Sequence, residues 1–558
     1  MGLINIVHLL VKNPIQTTYR KYTFLICLLI LYNHSKMLQY DLYITGKITI
    51  NRNAHMRTLS LVLVLLSLSI SNFSLSAATD ETPRPVPELQ QSITEHSGTF
   101  NGKKITYTVH AGDHFLYDDK QAPKANIYST AYFANNKTSK SDPKRPLLFI
   151  FNGGPGSSSV WLHMGVFGPK RVDLPSNGEA VGAPPYNLAH NPLSLIDSAD
   201  MVFIDPVGTG YSHPLGEYKG SAFWGVKEDA QIMAYFVRAF TRKHNVFNRP
   251  KYLVGESYGT TRAGAMVKEL QEGWGTTDLS GVMLISSIVD FQTGDFKEGN
   301  DLPYITFLPT YAATAWYHNV IDRSRFPDLP AFLDAVRGFA LGEYATVLLK
   351  GNLATAAERA SVLTQLHAMT GLSTAFLERA NLRINEFYFM KELLRDKGVS
   401  VGRLDSRYLG KEGDLNANRF EADPSGYAID GAYTALFNQY MRDDLNVHRD
   451  VRYQILSSKV FSSWNWLYER NARSQGFLNV TPFIAKAMRQ NKDFRIFVGN
   501  GYYDLATPFF ATEHSMNHNG IDASRVSMKY YEAGHMMYIH QPSLEALVAD
   551  IRTFLQEQ

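Results

Sequence analysis

The sequence predicts an α/β fold in which a mostly parallel central sheet is interrupted by a helical insertion. Short, wholly apolar runs such as residues 146–151 alternate with helical patterns, as in a sheet that helices cover on both faces. After about Asp290 the pattern changes to consecutive helices, and the alternation returns near Asn491. Because 558 residues exceed what one compact core usually holds, an insertion or a second domain is expected.

The predicted strands begin with a hairpin. Asn101-Gly102 lies between alternating residues, which is the strongest short-range signal for a tight hairpin turn, and residues 126–134 alternate in the same way. The buried parallel strands are predicted at residues 146–151, 201–204, 252–254, 282–285, 494–498 and 526–530. Helical patterns separate them, notably at residues 222–241 and 261–271.

The insertion has its own pattern. Apolar residues spaced by three and four predict consecutive helices with no strand between them, at residues 330–349, 355–369 and 374–397. Ser373 is a plausible N-cap of the third helix. Residues 403–407 (RLDSR) follow these helices, and we expect a surface ion-pair network there.

The N-terminal segment predicts export rather than a folded domain. Residues 56–78 contain a start methionine with a positive charge, an apolar centre and a small-x-small cleavage site, which is the pattern of a secretory signal peptide. A buried hydrophobic helix is the alternative. The apolar runs are shorter than the ~20 residues that a membrane-spanning helix needs, so we expect no stable membrane insertion after cleavage. A secreted or periplasmic location follows.

The predicted organisation therefore has four segments. They are an N-terminal extension with the signal peptide (1–78), the first part of the α/β core (79–294), a helical insertion that caps the active-site edge (295–455) and the second part of the core (456–558).

The formal net charge of the chain is +3. Residues 1–78 hold seven Lys and Arg and one acid, so the remainder carries 48 basic and 51 acidic residues, and no nucleic-acid partner is indicated.

The only cysteine, Cys27, lies in the same N-terminal segment. A chain processed after residue 78 would therefore have no disulfide, no thiolate nucleophile and no cysteine zinc site. His535 and His540 are five residues apart, which is the wrong spacing for a His-Glu-x-x-His zinc motif. We predict no metal and no cofactor.

Residues 255–259 (GESYG) fit the Gly-x-Ser-x-Gly pattern, between an apolar run and a helix start. In a nucleophile elbow this pattern holds the serine, here Ser257, on a tight strand-to-helix turn where side chains on both neighbours would not fit. The backbone N–H of Tyr258 would open the helix, where it can help to bind an oxyanion. An ordinary strand-to-helix loop is the alternative.

Asp504 and His535 are the candidate partners of Ser257. Each lies in a loop just past a predicted strand, so both should lie at the same sheet edge as the serine. The order Ser, Asp, His along the chain is the one that α/β-hydrolases use. Separately, a loop aspartate is most often a turn former and a loop histidine is most often solvated. Their joint placement predicts a Ser-His-Asp triad.

Residues 152–159 (NGGPGSSS) follow the first apolar strand. Without side chains, Gly153 and Gly154 would let the backbone approach a substrate, and one of their N–H groups could complete an oxyanion hole with Tyr258. A glycine-rich turn without function is the alternative. A phosphate-binding loop is disfavoured because no Gly-Lys-Ser/Thr follows.

Four blocks make the sequence recognisable: NGGPGSSS at Asn152, DPVGTGYS at Asp205, GESYGTTRA at Gly255, and the pair NGYYDLATP and YEAGHMMYIHQP at Asn500 and Tyr531. Together they resemble the serine carboxypeptidase family of α/β-hydrolases, in particular secreted members of bacterial type. The resemblance covers nearly all of the chain after the signal peptide. It implies the α/β-hydrolase fold with a helical cap.

The resemblance also implies residue roles. Ser257 would be the nucleophile, His535 the general base and then acid, and Asp504 the carboxylate that orients the histidine. The N–H groups of Gly154 and Tyr258 would form the oxyanion hole. The α-carboxylate of a peptide C-terminus would be bound by Asn152, Gly153 and Glu256.

A glutamic acid next to a substrate carboxylate can hydrogen-bond it only while one of the two is protonated. The resemblance therefore implies tighter substrate binding and a higher kcat/KM at acidic pH. One departure bears on this: where the family commonly has a second acid before Leu-Gly-Pro, this chain has Val166 before Phe167-Gly168-Pro169. The missing acid predicts weaker selection for a free C-terminus.

These predictions describe a serine carboxypeptidase that releases C-terminal amino acids through an acyl-enzyme, with peptides that have a free C-terminus as its partners. The same site could belong to an esterase or an acyltransferase. A peptide-binding protein with an inactive site is a third hypothesis, which the presence of all three triad residue types disfavours.

Overall fold

A computed structural model describes residues 86–135, 142–272, 275–468 and 476–557. The predicted signal peptide and its cleavage site lie outside these ranges, as does Cys27. Within them, no helix is both long enough and apolar enough to span a membrane.

Fourteen strands are present in the described ranges and are numbered in chain order. They are β1 (Gln91–Phe100), β2 (Lys103–Tyr117), β3 (Pro123–Ala134), β4 (Leu147–Phe151), β5 (Lys170–Val172), β6 (Leu188–His190), β7 (Asp200–Ile204), β8 (His213–Pro214), β9 (Lys251–Ser257), β10 (Gly281–Ser287), β11 (Val399–Val401), β12 (Leu409–Lys411), β13 (Arg495–Gly501) and β14 (Val526–Tyr531).

The central sheet has the strand order β1-β2-β3-β7-β4-β9-β10-β13-β14, with β8 paired to β3. The six strands from β7 to β14 in this order are parallel to one another, whereas β1, β2 and β3 form an antiparallel edge. The predicted, mostly parallel sheet is confirmed. Because the six parallel strands point the same way, the loops after their carboxyl ends meet at one edge.

Local sequence explains the first hairpin and the buried strands. Asn101 and Gly102 both have positive φ, at 48° and 73°, as the tight turn between β1 and β2 requires. In β4, Leu148 and Ile150 pack into one hydrophobic cluster and Phe149 into another on the opposite face. Both faces of this strand are covered, which is why its sequence is apolar throughout.

The described α-helices, again in chain order, are α1 (Val160–Leu162), α2 (Val226–Lys243), α3 (Tyr258–Gln271), α4 (Leu302–Tyr317), α5 (Leu329–Phe339), α6 (Ala345–Lys350), α7 (Ala356–Thr370), α8 (Thr374–Arg379), α9 (Glu386–Glu392), α10 (Pro424–Tyr427), α11 (Asp430–Asp443), α12 (Ser458–Ser462), α13 (Thr481–Gln490), α14 (Phe509–Met516) and α15 (Gln541–Gln556). Helices α2, α3 and α13 cover one face of the sheet, and α11 and α15 cover the other.

The insertion contains the predicted helices, with one correction. Residues 374–397 do not form a single helix: α8 ends at Arg379, and α9 begins after Asn385, whose side chain caps it by accepting from Phe387 N–H at 3.0 Å. Asn381 and Leu382 between them have positive φ, which interrupts a right-handed helix. Ser373 is confirmed as the N-cap of α8, since its Oγ accepts from Phe376 N–H at 3.2 Å.

The insertion also holds a short antiparallel hairpin, β11–β12. Helices α4 to α9 enclose a hydrophobic cluster of their own, and that cluster includes Tyr503 and Leu505 on either side of Asp504. Helix α11 instead packs into the cluster beneath the central sheet. The insertion therefore contacts both the sheet and the loop that carries the candidate acid.

Candidate active site

Ser257 ends β9 and precedes the first residue of α3, with φ 60° and ψ −131°. A non-glycine residue rarely adopts a positive φ, and it persists only where the surrounding structure imposes it. A Cβ on Gly255 would lie 2.2 Å from the carbonyl oxygen of Gly259, and one on Gly259 would lie 2.9 Å from that of Phe151. As expected for a nucleophile elbow, neither neighbour has room for a side chain.

The glycine-rich loop lies directly against the elbow, because β4 and β9 are adjacent and Phe151 pairs with Gly255. A Cβ on Gly153 would lie 2.5 Å from the backbone nitrogen of Tyr258. The Tyr258 N–H opens α3, where first-turn donors have no carbonyl partner in the helix. Gly154 follows at φ 99°. The two predicted oxyanion donors thus belong to segments in close backbone contact.

Asp504 and His535 meet through their side chains. His535 Nδ1 is 2.8 Å from Asp504 Oδ2, and both side chains are buried. Asp504 Oδ1 accepts from the N–H groups of Ala506 and Thr507, at 2.8 and 2.9 Å, and Oδ2 also accepts from the Thr507 hydroxyl at 2.6 Å. Because Nδ1 of the His535 ring faces the carboxylate, Nε2 is the ring nitrogen that remains available for a partner on the substrate side.

Burial lowers the pKa of His535, but the Asp504 charge and hydrogen bond, with a further contribution from Glu256, raise it above its ordinary value overall. The imidazole is therefore held beside a carboxylate that stabilises its protonated form. This is the electrostatic arrangement that a general base requires when it takes a proton from a hydroxyl.

The imidazole loop is fixed close to the elbow. Ser286 Oγ donates to the His535 carbonyl at 2.6 Å, and the next residue, Ser287, pairs with Ser257 across β9 and β10. The hydrogen bonds of the described residues do not include one between Ser257 Oγ and His535. Such contacts are often long without substrate and shorten in the substrate complex.

Glu256 precedes Ser257 and is 3% exposed. Its Oε1 accepts from Asn152 Nδ2 at 3.0 Å, and its Oε2 accepts from the Tyr538 hydroxyl at 2.7 Å. Burial raises the pKa of Glu256 to about 7, and Asp504 adds to the rise, while His535, Tyr538 and Asn152 oppose it. Glu256 is thus a carboxyl group that exchanges its proton near neutrality.

Asn152 is held in place from three sides. Its Oδ1 accepts from the N–H of Leu162 at 3.2 Å, its Nδ2 donates to Glu256, and its carbonyl accepts from Arg262 Nη1. Arg262 is itself paired with Asp229 at 2.6 Å, and both side chains are buried. The structure therefore brings Asn152, Gly153 and Glu256 together beside Ser257.

Val166 is buried in the turn after α1 and offers no side-chain hydrogen bond. The neighbouring Gly165 lies against Tyr538 and Tyr433, since a Cβ there would be 2.3 Å from the Tyr538 ring and 2.8 Å from the Tyr433 hydroxyl. Tyr538, which donates to Glu256, therefore packs against the residue before Val166. Sequence reasoning did not identify Tyr538, although its place three residues after His535 was a usable signal.

Two further groups support the site, and sequence reasoning assigned neither of them this role. Asp205, just after β7, is buried and accepts from Ser159 N–H at 3.0 Å and from the Tyr453 hydroxyl at 2.8 Å, which ties the end of the glycine-rich loop to the sheet. An acid directly after an apolar strand was the available signal. The second group is the 403–407 segment.

The prediction of a surface ion-pair network at residues 403–407 is wrong in its location. Asp405 and Arg407 do pair, with Arg407 Nη2 2.6 Å from Asp405 Oδ2, but their side chains are only 6% and 3% exposed. The segment joins β11 to β12, and it packs against the loops of Asp504 and His535. Its charged residues indicated exposure, whereas the tertiary contacts bury them.

In the described ranges, no cluster of three or more histidine, cysteine or acidic side chains could hold a metal ion.

A parallel sheet with a strained serine elbow after β9, and with Asp504 and His535 after β13 and β14, defines the α/β-hydrolase class. The family model described as serine carboxypeptidase matches residues 123–546, which is most of the chain. The chain belongs to the serine carboxypeptidase family.

Curated relatives agree with this assignment over shorter stretches. The chain is 32% identical over 190 residues to serine carboxypeptidase-like 36 of Arabidopsis thaliana, which is 34% of each protein. It is 30% identical over 166 residues to the pheromone-processing carboxypeptidase KEX1 of Ogataea parapolymorpha, which is 29% of this chain and 25% of the relative. The matches cover about half or less of the curated relatives' own length.

Among solved structures, the prohormone-processing carboxypeptidase KEX1(Δ)p of Saccharomyces cerevisiae aligns over 80% of this chain and 91% of its own. The sequence identity is 17% and the TM-score is 0.49.

Proposed function

We propose that this protein is a serine carboxypeptidase that removes C-terminal residues from peptides at acidic pH. In this mechanism Ser257 Oγ attacks the last peptide carbonyl while His535 Nε2 takes its proton. The tetrahedral intermediate collapses when His535 returns the proton to the leaving amine, which departs as the free amino acid. Water then attacks the acyl-serine, again with His535 as base, and releases the shortened peptide.

The oxyanion of each tetrahedral intermediate would be bound by the N–H groups of Gly154 and Tyr258. The close contact between Gly153 and Tyr258 N supports this role, because it fixes the two segments relative to Ser257 before substrate arrives. Donors that are fixed in advance stabilise developing charge without the cost of reorganisation. Asp504 would hold His535 in the tautomer that leaves Nε2 free to act.

The buried Glu256 is the observation that carries the exopeptidase proposal. It lies one residue from the nucleophile, and each of its carboxylate oxygens accepts one hydrogen bond from a neutral side chain. The steps of acyl transfer use Ser257, His535 and Asp504 and assign no task to a second carboxyl group. Binding of a peptide C-terminus would give Glu256 a task, since a protonated Glu256 would donate to the substrate carboxylate and anchor the last residue.

The raised pKa of Glu256 sets the direction of the pH dependence. Below a pKa of about 7, Glu256 is protonated and can bind a substrate carboxylate; above it, two like charges would share a buried site. We therefore expect kcat/KM for a free-acid peptide to be high below pH 7 and to fall as the pH rises through that value. The titratable groups facing Glu256 are His535, Asp504, Tyr538 and Tyr433.

Glu256 and His535 influence each other's protonation, so their pKa values belong to the pair. An ionised Glu256 favours a protonated His535, and a protonated His535 favours an ionised Glu256. A bound C-terminal carboxylate would favour the protonated, neutral form of Glu256. Glu256 would then no longer favour protonation of His535, which must be neutral to act as a general base.

Tyr538 donates a hydrogen bond to Glu256, whereas Val166, at the position of the family's second acid, has no polar side chain. Burial and the nearby Glu256 carboxylate raise the pKa of Tyr538 well above its ordinary value, so its hydroxyl keeps its proton and donates. A donated hydrogen bond stabilises the ionised form of Glu256. A second acid would do the opposite, because the two carboxylates would share a proton.

The test uses peptide pairs that differ only in a free or an amidated C-terminus, with kcat/KM measured between pH 4 and 8. We expect the free acid to be preferred at pH 5 and this preference to shrink by pH 8. Equal cleavage of both peptides, or faster hydrolysis of a matched ester than of any peptide, would favour the esterase or acyltransferase. The Ser257→Ala variant is the control for contaminating activity.

Labelling with a fluorophosphonate separates these enzymes from an inactive peptide-binding protein. The reagent reacts with an activated serine, so wild-type protein should be labelled at Ser257 and the Ser257→Ala variant should not. Absence of labelling in the wild type, together with retained peptide binding, would contradict the enzymatic proposal.

We further propose that the protein is exported, as a secreted or periplasmic enzyme of bacterial type. The signal-peptide pattern of residues 56–78 supports this, and an acid-favoured site suits a compartment outside the buffered cytoplasm. N-terminal sequencing of protein recovered from outside the cytoplasm should find a start near Thr79. A start well before that residue would contradict the predicted cleavage.

A further inference from the structure

We propose that residues 403–407, the bracing loop at the end of the β11–β12 hairpin, hold the two loops that carry Asp504 and His535 in register, with Asp405 as a positioning residue for His535. The inference rests on the proposed triad roles. It assigns to the insertion a part in catalysis that is separate from capping the site or binding substrate.

Backbone hydrogen bonds join the bracing loop to both catalytic loops. On one side, the His535 N–H donates to the Leu404 carbonyl at 2.6 Å. On the other, the N–H of Leu505 donates to the carbonyl of Arg403 at 3.0 Å. The bracing loop therefore contacts the histidine itself and the residue directly after the acid.

A further bond strengthens the contact on the acid side. The N–H of Ser406 donates to the carbonyl of Tyr503 at 2.9 Å, so the residues on both sides of Asp504 are bonded to the bracing loop. The acid is thus bracketed by backbone contacts that lie outside its own loop.

The Asp405 side chain adds contacts on the histidine side. Its Oδ2 accepts from the N–H of Gly534 at 3.2 Å and from Arg407 Nη2 at 2.6 Å. Arg407 Nη1 in turn donates to the Glu532 carbonyl at 3.3 Å. A Cβ on Gly534 would lie 2.4 Å from that of Asp405, so the glycine before His535 allows this close approach.

The bracing loop is itself anchored in the insertion. Ser406 Oγ is 2.7 Å from Thr314 Oγ1, and the Ser406 carbonyl is 2.7 Å from His318 Nε2, both at the end of α4. Asp423 accepts from the N–H groups of Arg403 and Leu404, at 3.0 and 3.2 Å. A loop held on both flanks can transmit the position of α4 to the catalytic loops.

The need for such support follows from where the acid and the histidine lie. Asp504 comes three residues after β13 and His535 four residues after β14, beyond the reach of the strand ladder. Ser257, in contrast, lies at the end of its strand. An error of about 1 Å in such loops can cost about 100-fold in rate, so their alignment needs contacts of its own.

The test replaces Asp405 by asparagine. The amide oxygen can still accept from Gly534 N–H, but the buried Arg407 loses its counter-charge and the fork between them is broken. We expect kcat to fall at least tenfold, KM for a free-acid peptide to stay within twofold, and the rate of fluorophosphonate labelling of Ser257 to fall in parallel with kcat.

A matched control lies at the other end of the same hairpin. Glu412, just after β12, pairs with Lys391 at 2.7 Å, with side chains 4% and 1% exposed. Glu412→Gln breaks a buried ion pair of similar exposure, and neither residue of the pair bonds to the catalytic loops. We expect it to lower the denaturant midpoint as much as Asp405→Asn does while leaving kcat within twofold.

The outcomes separate positioning from general stability. Equal loss of kcat in Asp405→Asn and Glu412→Gln, or an unchanged kcat in a folded Asp405→Asn, would overturn the proposal. If Asp405→Asn fails to fold, Arg407→Lys replaces it, since it keeps the charge but loses the fork, and it should give a smaller loss of kcat in the same direction. An unchanged kcat in that variant would likewise overturn the proposal.

Failure of the proposed function would look different. If the enzyme were an esterase, the wild type would show no preference for a free C-terminus, yet Asp405→Asn would still slow both ester hydrolysis and Ser257 labelling. The labelling rate therefore tests the bracing loop without reference to the substrate class.

Discussion

Two buried carboxyl groups lie close to the same imidazole, and their surroundings differ. Asp504 accepts four hydrogen bonds, from two backbone N–H groups, the Thr507 hydroxyl and His535 Nδ1. Glu256 accepts two, from Asn152 and Tyr538, and burial raises its pKa to about 7. One carboxylate is therefore surrounded by donors, and the other keeps a capacity to gain a proton.

This difference shows how one site can use two carboxyl groups for two different tasks. Several donors hold the Asp504 carboxylate in one orientation, which suits the proposed partner of a catalytic histidine. Few donors and deep burial favour exchange of a proton near neutrality, which suits a group that must accept an anionic substrate. The environment of each carboxyl group, more than its residue type, decides which role it can take.

Asp504→Asn tests the donor-rich carboxylate and should have the largest effect. The amide would offer its NH₂ to His535 Nδ1 and so favour the wrong tautomer, which we expect to lower kcat by about 10⁴-fold. The alkaline limb of kcat/KM should move to a lower pH, because the Asp504 charge contributes to the raised pKa of Glu256. A loss of less than tenfold would show that Asp504 is not the orienting acid.

Glu256→Gln tests the proton-exchanging carboxyl group. A group with a pKa of about 7 loses about nine-tenths of its protonated form between pH 5.5 and 8, so wild-type kcat/KM for a free-acid peptide should fall about tenfold over that range. Glutamine donates at every pH, so the variant should show no such fall. An unchanged pH profile would rule out the carboxylate-binding role.

Thr507→Val removes one donor from Asp504 with little change in shape. The hydroxyl bonds Oδ2, the oxygen that also faces His535 Nδ1. A hydrogen bond to a charged group contributes about 1.5–3 kcal/mol, so we expect kcat to fall by about tenfold at every pH. A shifted alkaline limb with unchanged kcat would mean that Thr507 acts through Glu256 instead.

Tyr538→Phe removes one hydrogen-bond donor from Glu256, just as Thr507→Val removes one from Asp504. The Tyr538 hydroxyl donates to the ionised form of Glu256, so its loss should raise the pKa of Glu256 further. If this hydrogen bond stabilises the carboxylate by ~1.4 kcal/mol, the pKa rises by about one unit. The alkaline limb should then move upward, so that kcat/KM at pH 8 rises up to about fivefold while the acidic plateau changes little. A limb that moves to lower pH would contradict the assigned direction of this hydrogen bond.

Local sequence was enough to predict the geometry of much of the site. The glycines around Ser257, the apolar strand before it and the glycine-rich loop after β4 each predicted a local geometry that the structure has. Asp504 and His535 were predicted to lie at the same edge because their strands run parallel, and their side chains do meet. In these cases a short segment and its strand neighbour decide the geometry.

Prediction was poorest where distant segments meet. Helix periodicity continues across residues 374–397, but the backbone turns at Asn381 and Leu382, and the chain ends one helix and starts another. The charges of Asp405 and Arg407 predict a surface location, yet the two side chains pair in the interior. Charge by itself does not reveal burial, because a buried ion pair depends on partners far away in the chain.

By itself, the sequence determined the strand–helix alternation and the strained elbow at Ser257, since backbone sterics and hydrophobic periodicity act over a few residues. It also predicted that Asp504 and His535 lie at one edge of the sheet, because their strands run parallel. Only the tertiary structure decided that Tyr538 bonds Glu256 and that the bracing loop contacts the loops of both Asp504 and His535. Those contacts join residues that are tens to hundreds of positions apart, and long-range packing alone determines which of them become neighbours.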